Sequence, residues 1–141
     1  MSEAISAVLP VEPESSRRAR EELQRFRRFL DEMSFMDLRL VVSELVAEAL
    51  RAAADPLGMN IELHAELRRG RIRVEIADGG NAYRLPSRRP GPGEAGFGLH
   101  LMQSLANRWG IRRQAAKATV WLEILTDSDR SIRGTPILQG G

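Results

Sequence analysis

The chain is 141 residues long, 43% apolar and 28% charged, enough for one domain with a real core and ordinary for a globular protein. It contains no cysteine, which excludes a disulfide framework, a thiol nucleophile and a thiolate metal site. The net charge is only +2, and the pI of about 9.9 reflects the fact that every basic residue except Lys117 is an arginine. Arginine stays charged and favours planar, bidentate partners, which suits phosphate or acidic protein surfaces and equally a genome rich in arginine codons. The start, Met1-Ser2-Glu3-Ala4, lacks the basic flank and apolar run of a secretory signal. No stretch approaches the roughly 20 apolar residues of a bilayer span. The expectation is a cytoplasmic protein without membrane contact.

Residues 4–11 read as a short edge strand, cut off by Pro10 and Pro13. Ser15 or Ser16 reads as a helix N-cap, and Ala19, Leu23, Phe26, Leu30 and Met33 then recur at the spacing of one helical face. Arg17, Arg18, Arg20, Arg25, Arg27 and Arg28 fall mainly on the opposite face, with Glu21 and Glu22 among them. The interruption by glutamates favours a solvated mixed-charge face over a nucleic-acid patch. A second helix over residues 36–54 carries a wide apolar stripe of Leu38, Val41, Val42, Leu45, Val46, Ala49, Leu50 and Ala53. Glu44, Glu48, Arg51 and Asp55 run along its edge, and Pro56 and Gly58 end it.

Residues 59–67 alternate strictly, with Met59, Ile61, Leu63, Ala65 and Leu67 inward, and Arg68-Arg69-Gly70 turns the chain into a partner strand over 71–78. Residues 79–95 hold seven glycines and prolines, which leaves no regular element and predicts a lid or binding loop. A helix then starts near Gly96–Gly98, with Leu101, Met102, Leu105, Ala106 and Trp109 on one face and Gly110 at its C′ position. A last strand covers 118–125. The expected organisation is a single domain over 1–125 and a flexible tail over 126–141. The expected class is α+β: a two-layer sandwich with helices on one face of a mixed, mostly antiparallel sheet.

The strand ending at Asp78 is the most informative segment. Ile72, Val74 and Ile76 share one face, and Asp78 has their parity, so a carboxylate is aimed at the core side. Gly79, Gly80, Gly96 and Gly98 flank the loop that follows, and glycine lets a ligand approach the backbone. Two readings fit: a ligand pocket with an acidic floor, or a turn in which Asp78 bonds its own backbone.

Several segments line up with one family. The chain resembles the anti-sigma-factor serine kinases, within the Bergerat-fold (histidine kinase-like) ATPase superfamily. The segments are Val41-Val42-Ser43-Glu44-Leu45-Val46, Asp78-x-Gly80, Gly96-x-Gly98-Leu99, Ala106-Asn107-Arg108-Trp109-Gly110 and Thr119-Val120-Trp121. Each alone is weak, but their joint order and spacing are specific. The resemblance implies a histidine kinase-like ATPase fold and an ATP site. In it, Asp78 accepts a hydrogen bond from the adenine amino group, and Gly80 lets the base approach. Gly96, Gly98 and Leu99 place backbone N–H groups beside the phosphates. Thr119 helps hold the adenine end, and Glu44 acts as general base toward a serine hydroxyl. It implies Mg²⁺ as a second cofactor, a sigma factor and an anti-sigma-factor antagonist as protein partners, a role in transcription regulation without direct nucleic-acid contact, and a homodimer.

The departures from the family pattern concern the metal. Where the family has an asparagine that completes the Mg²⁺ site, this chain has Glu48; a family histidine is Ala52, and a family glycine is Ala82. Glu48 reads as a metal ligand, since Mg²⁺ takes hard oxygen donors. Without metal, a carboxylate about 4 Å from a phosphate costs on the order of 4 kcal/mol at an effective dielectric of about 20, roughly a thousandfold in affinity. Arg51 could pair with Glu48 and blunt that repulsion. The expectation is therefore an ATP-binding anti-sigma-factor-like regulator, with serine kinase activity toward its antagonist left open; the alternative is a catalytically inactive partner-switching module that has lost Mg-ATP binding.

Overall fold

In a computed structural model the described residues are 3–52, 60–78, 83, 88–114 and 117–126. Five strands form one sheet: β1 (Ala4–Pro10), β2 (Asn60–Arg68), β3 (Arg71–Asp78), β4 (Arg108–Gln114) and β5 (Lys117–Leu125), in the order β1-β2-β3-β5-β4. Among the described residues all four neighbouring pairs are antiparallel. Arg68 pairs with Arg71 across a tight turn in which Gly70 takes a φ of 72°, a conformation open to glycine.

The period of two dictated by the sequence sets the layers. Ile5 and Leu9, Ile61, Leu63 and Ala65, Ile72, Val74 and Ile76, and Ala118, Val120, Leu122 and Ile124 all face one side and are buried. The helices cover that side. Helix α1 (Ser15–Glu22) continues into a 3₁₀ segment (Leu23–Phe29); α2 (Glu32–Ala52) and α3 (Phe97–Leu105) complete the layer. Leu38, Val41, Val42, Leu45, Val46 and Ala49 of α2 supply its core face, as the stripe predicted.

Three boundaries differ from the sequence reading. The first helix does not run to Met33: Leu30 adopts an extended conformation, and Asp31 starts α2 instead. The Asp31 carboxylate accepts the Ser34 N–H at 2.6 Å, satisfying a donor that the new helix end would otherwise leave open. At the start of α1 neither serine is the side-chain cap; Glu14 occupies that position without one, and the buried Ser15 hydroxyl donates to the Pro10 carbonyl, tying α1 to the end of β1.

The third difference is β4. Trp109 is expected on the face of the third helix and Gly110 at its C′ position, but α3 ends at Leu105. Gly110 lies directly across from Trp121 on β5, where a Cβ would come 2.4 Å from the indole Nε1. The glycine is there to let the ring lie against the strand. The Arg73 guanidinium stacks on the other side of that ring at 4.2 Å.

On the sheet face away from the helices, Glu123 is 5% exposed and accepts from Arg71 at 3.2 Å and Arg73 at 3.0 Å, with Arg108 at 3.5 Å. Of the expected tail over 126–141, Thr126 is buried and its N–H donates to the Gly70 carbonyl at 3.0 Å; the rest, and residues 79–82 and 84–87 of the expected loop, lie outside the described residues. Among the described residues no helix is long and apolar enough to cross a membrane.

Candidate functional site

The site is built where the end of β3 and the start of α3 meet α2. Asp78, the last residue of β3, keeps the inward parity of Ile72, Val74 and Ile76 and is 6% exposed. Its cross-strand neighbour is Ala118, which is fully buried and small enough to leave the carboxylate room.

Tyr83 was not singled out from the sequence. It is wholly buried, and its hydroxyl donates to the Leu45 carbonyl of α2 at 2.8 Å. Burial pushes its phenol well above the usual 10.0, and the negative charges of Asp78 and Glu48 push it further. The hydroxyl is therefore held as a donor throughout the neutral range. The signal available is its type: it is the chain's one tyrosine and the only aromatic residue between Gly79 and Ala95.

Glu48 lies less than one turn further along α2 and is 5% exposed. One carboxylate oxygen accepts the Gly96 N–H at 2.9 Å, and the other accepts the Gly98 N–H at 2.7 Å. These are open donors of the α3 N-terminus, where the helix dipole favours an anion. Gly96 is the N-cap with a φ of 90° and makes no side-chain cap of its own. The cap comes from another helix. Gly98 is needed for the approach: a Cβ there would stand 3.1 Å from the Glu44 carbonyl and the Leu45 nitrogen. The carboxylate thus takes up the donors that the resemblance assigned to phosphate.

The other expected site residues divide. Glu44 sits on α2, half-buried, with its backbone against Gly98. Leu99 is fully buried in the core, so its side chain serves packing. Thr119 is not brought to this group: it pairs with Ala77 on the opposite sheet face and lines a 160 Å³ hollow with His64, Glu75, Arg112 and Lys117. Strand alternation is the reason, since Asp78 and Ala118 share the inner face. Gly80 lies outside the described residues. Arg51 does not pair with Glu48; it is exposed and lines a separate 410 Å³ cleft with Val11, Glu12, Pro13 and Leu50. Arg88 is solvent-exposed, 3.9 Å from Glu94.

These placements bear on the two expected cofactors differently. The buried Asp78 carboxylate suits a purine amino group. The phosphate end does not fit as it stands, because both Glu48 oxygens are engaged with Gly96 and Gly98. Among the described residues, no three His, Asp or Glu side chains cluster as a metal-binding group.

Among solved structures, the RsbU and RsbW domains of Rv1364c from Mycobacterium tuberculosis match with a TM-score of 0.66 at 17% identity, over 88% of this chain and 32% of that one. The chain spans about a third of that protein's length, and at this identity the likeness establishes the fold alone. No curated protein matches in sequence. The family profile for the histidine kinase-like ATPase domain matches residues 9–124, from the end of β1 to the end of β5. The chain belongs to the histidine kinase-like ATPase domain family.

Proposed function

We propose that this chain is an anti-sigma-factor-like regulator with an adenine-nucleotide cleft beside Asp78, and that a sigma factor and an anti-sigma-factor antagonist are its protein partners. The observation that carries the nucleotide part is the 6% exposure of Asp78 on the inner face of β3, in a family of ATPase domains. A carboxylate on that inner face can accept from a purine amino group. The partner assignment rests on the likeness to a structure that contains an RsbW domain, together with the Glu44-Leu45-Val46 and Gly96-x-Gly98 segments.

A second reading is favoured by Glu48. With its carboxylate on Gly96 and Gly98, the chain is a partner-switching module in which phosphoryl transfer to the antagonist is not the working output. The roles of Glu44 as base and Glu48 as metal ligand belong to the first reading only.

Thermal unfolding with and without Mg-ATP tests the first reading. A ligand that binds only the folded state, at 100 times its dissociation constant, adds about 2.7 kcal/mol. A rise in Tm that Asp78→Asn abolishes supports a nucleotide held at Asp78. No rise at millimolar Mg-ATP leaves the partner-switching module.

A further inference from the structure

We infer that Glu48 is a built-in occupant of the anion position at the start of α3, excluding phosphate until it is displaced. The inference rests on the nucleotide reading only for the identity of the ligand kept out; the contact itself stands on geometry.

Four observations carry it. Glu48 is buried, and each of its oxygens takes one of the two N–H groups, at 2.9 and 2.7 Å. The acceptor comes from α2, so the bond joins two helices rather than capping one from within. Such charge-assisted bonds are stronger than neutral ones, and the α3 dipole adds to them. Gly98 allows the backbones of α2 and α3 to approach to within a Cβ contact of 3.1 Å, which is what lets a glutamate reach. Finally, Tyr83 is tied to Leu45, less than one turn from Glu48, so the same part of α2 holds a second buried side chain in place.

The consequence is competition. An incoming phosphate oxygen needs the same two donors and meets a negative charge already on them. It can bind only by breaking both bonds and moving a buried carboxylate.

Inorganic phosphate is the direct probe, since it tests the anion position without the purine. Unfolding of the full chain is followed for wild type, Glu48→Ala, Glu48→Gln and the surface control Glu62→Gln, each with and without phosphate. The expected result is that Glu48→Ala melts lower than wild type and regains part of the loss with phosphate, while wild type and Glu62→Gln respond alike and weakly. Amide resonances of Gly96 and Gly98 in wild type and Glu48→Gln provide a second readout for the case that the alanine variant does not fold. Phosphate should move them in the Gln variant, at an affinity on the order of tenfold or more above wild type. Equal phosphate responses in wild type and the variants would overturn the inference. So would variants with unchanged Tm and unmoved glycine amides. If phosphate acts on the variants but Mg-ATP binds no better than phosphate alone, the anion contact stands and the purine reading falls.

Discussion

The Tyr83 hydroxyl donates to the Leu45 carbonyl at 2.8 Å while Glu48, less than a turn away, accepts from Gly96 and Gly98. A short stretch of α2 therefore gathers the segment that follows β3 and the segment that opens α3. Two buried carboxylates, Asp78 and Glu48, act on one buried phenol there.

Tyr83→Phe keeps the ring and removes the bond to Leu45, and should cost about 1 kcal/mol. Tyr83→Ala also empties a fully buried site and should cost about 3–5 kcal/mol. Denaturant unfolding measures both. The raised phenol adds a pH dependence: its stabilising contribution is fully present below the ordinary 10.0 and is lost as pH rises through the higher folded value. The Phe variant should lack this alkaline loss.

Gly98→Ala places a methyl 3.1 Å from backbone atoms of Glu44 and Leu45, which cannot swing away as a side chain could. The helices must part by a few tenths of an ångström, loosening the Glu48 bond at the same residue. The expected loss is about 1–3 kcal/mol, with faster amide exchange at residue 98.

On the far face, Gly110→Ala should displace the Trp121 indole, since a Cβ would stand 2.4 Å from it. The ring then leaves Arg73, at 4.2 Å, and the expected cost is about 1–3 kcal/mol. Tryptophan fluorescence and near-UV circular dichroism report the movement.

Glu75 supplies the acid-side prediction. Burial raises its carboxyl, but the hydrogen bond and charge of Arg73, with Arg112 beyond, outweigh that and hold it below the ordinary 4.5. A depressed carboxyl stabilises above its ordinary value, and that contribution is lost as pH falls through the lower folded value. Glu75→Gln should therefore flatten the stability profile below about pH 4.5. The effect should be small, because both arginine contacts are partly screened by water.

Much of this fold was legible because burial enforces simple periods. The alternation through Ile72, Val74 and Ile76 and the stripe from Leu38 to Ala49 each survive intact in the core. The misread helix end has a distant cause: a partner strand decided the local outcome. Trp109 and Gly110 read as a helix end until β5 is beside them and Gly110 is seen under Trp121. Thr119 was assigned by resemblance, whereas strand parity with Val120 already turned it to the other face. Asp78 was legible because a charge out of pattern stands out. Glu48 was marked as a departure, but its hold on Gly96 and Gly98 could not be read, since those donors lie 48 and 50 residues away in sequence.

The most direct test of the account is calorimetric titration of Mg-ATP into wild type, Glu48→Gln and the double variant Glu48→Gln/Asp78→Asn. The account predicts tighter binding to Glu48→Gln than to wild type, and loss of that binding when Asp78 is also replaced. Heat of binding absent from all three, or indifferent to Asp78, would contradict it.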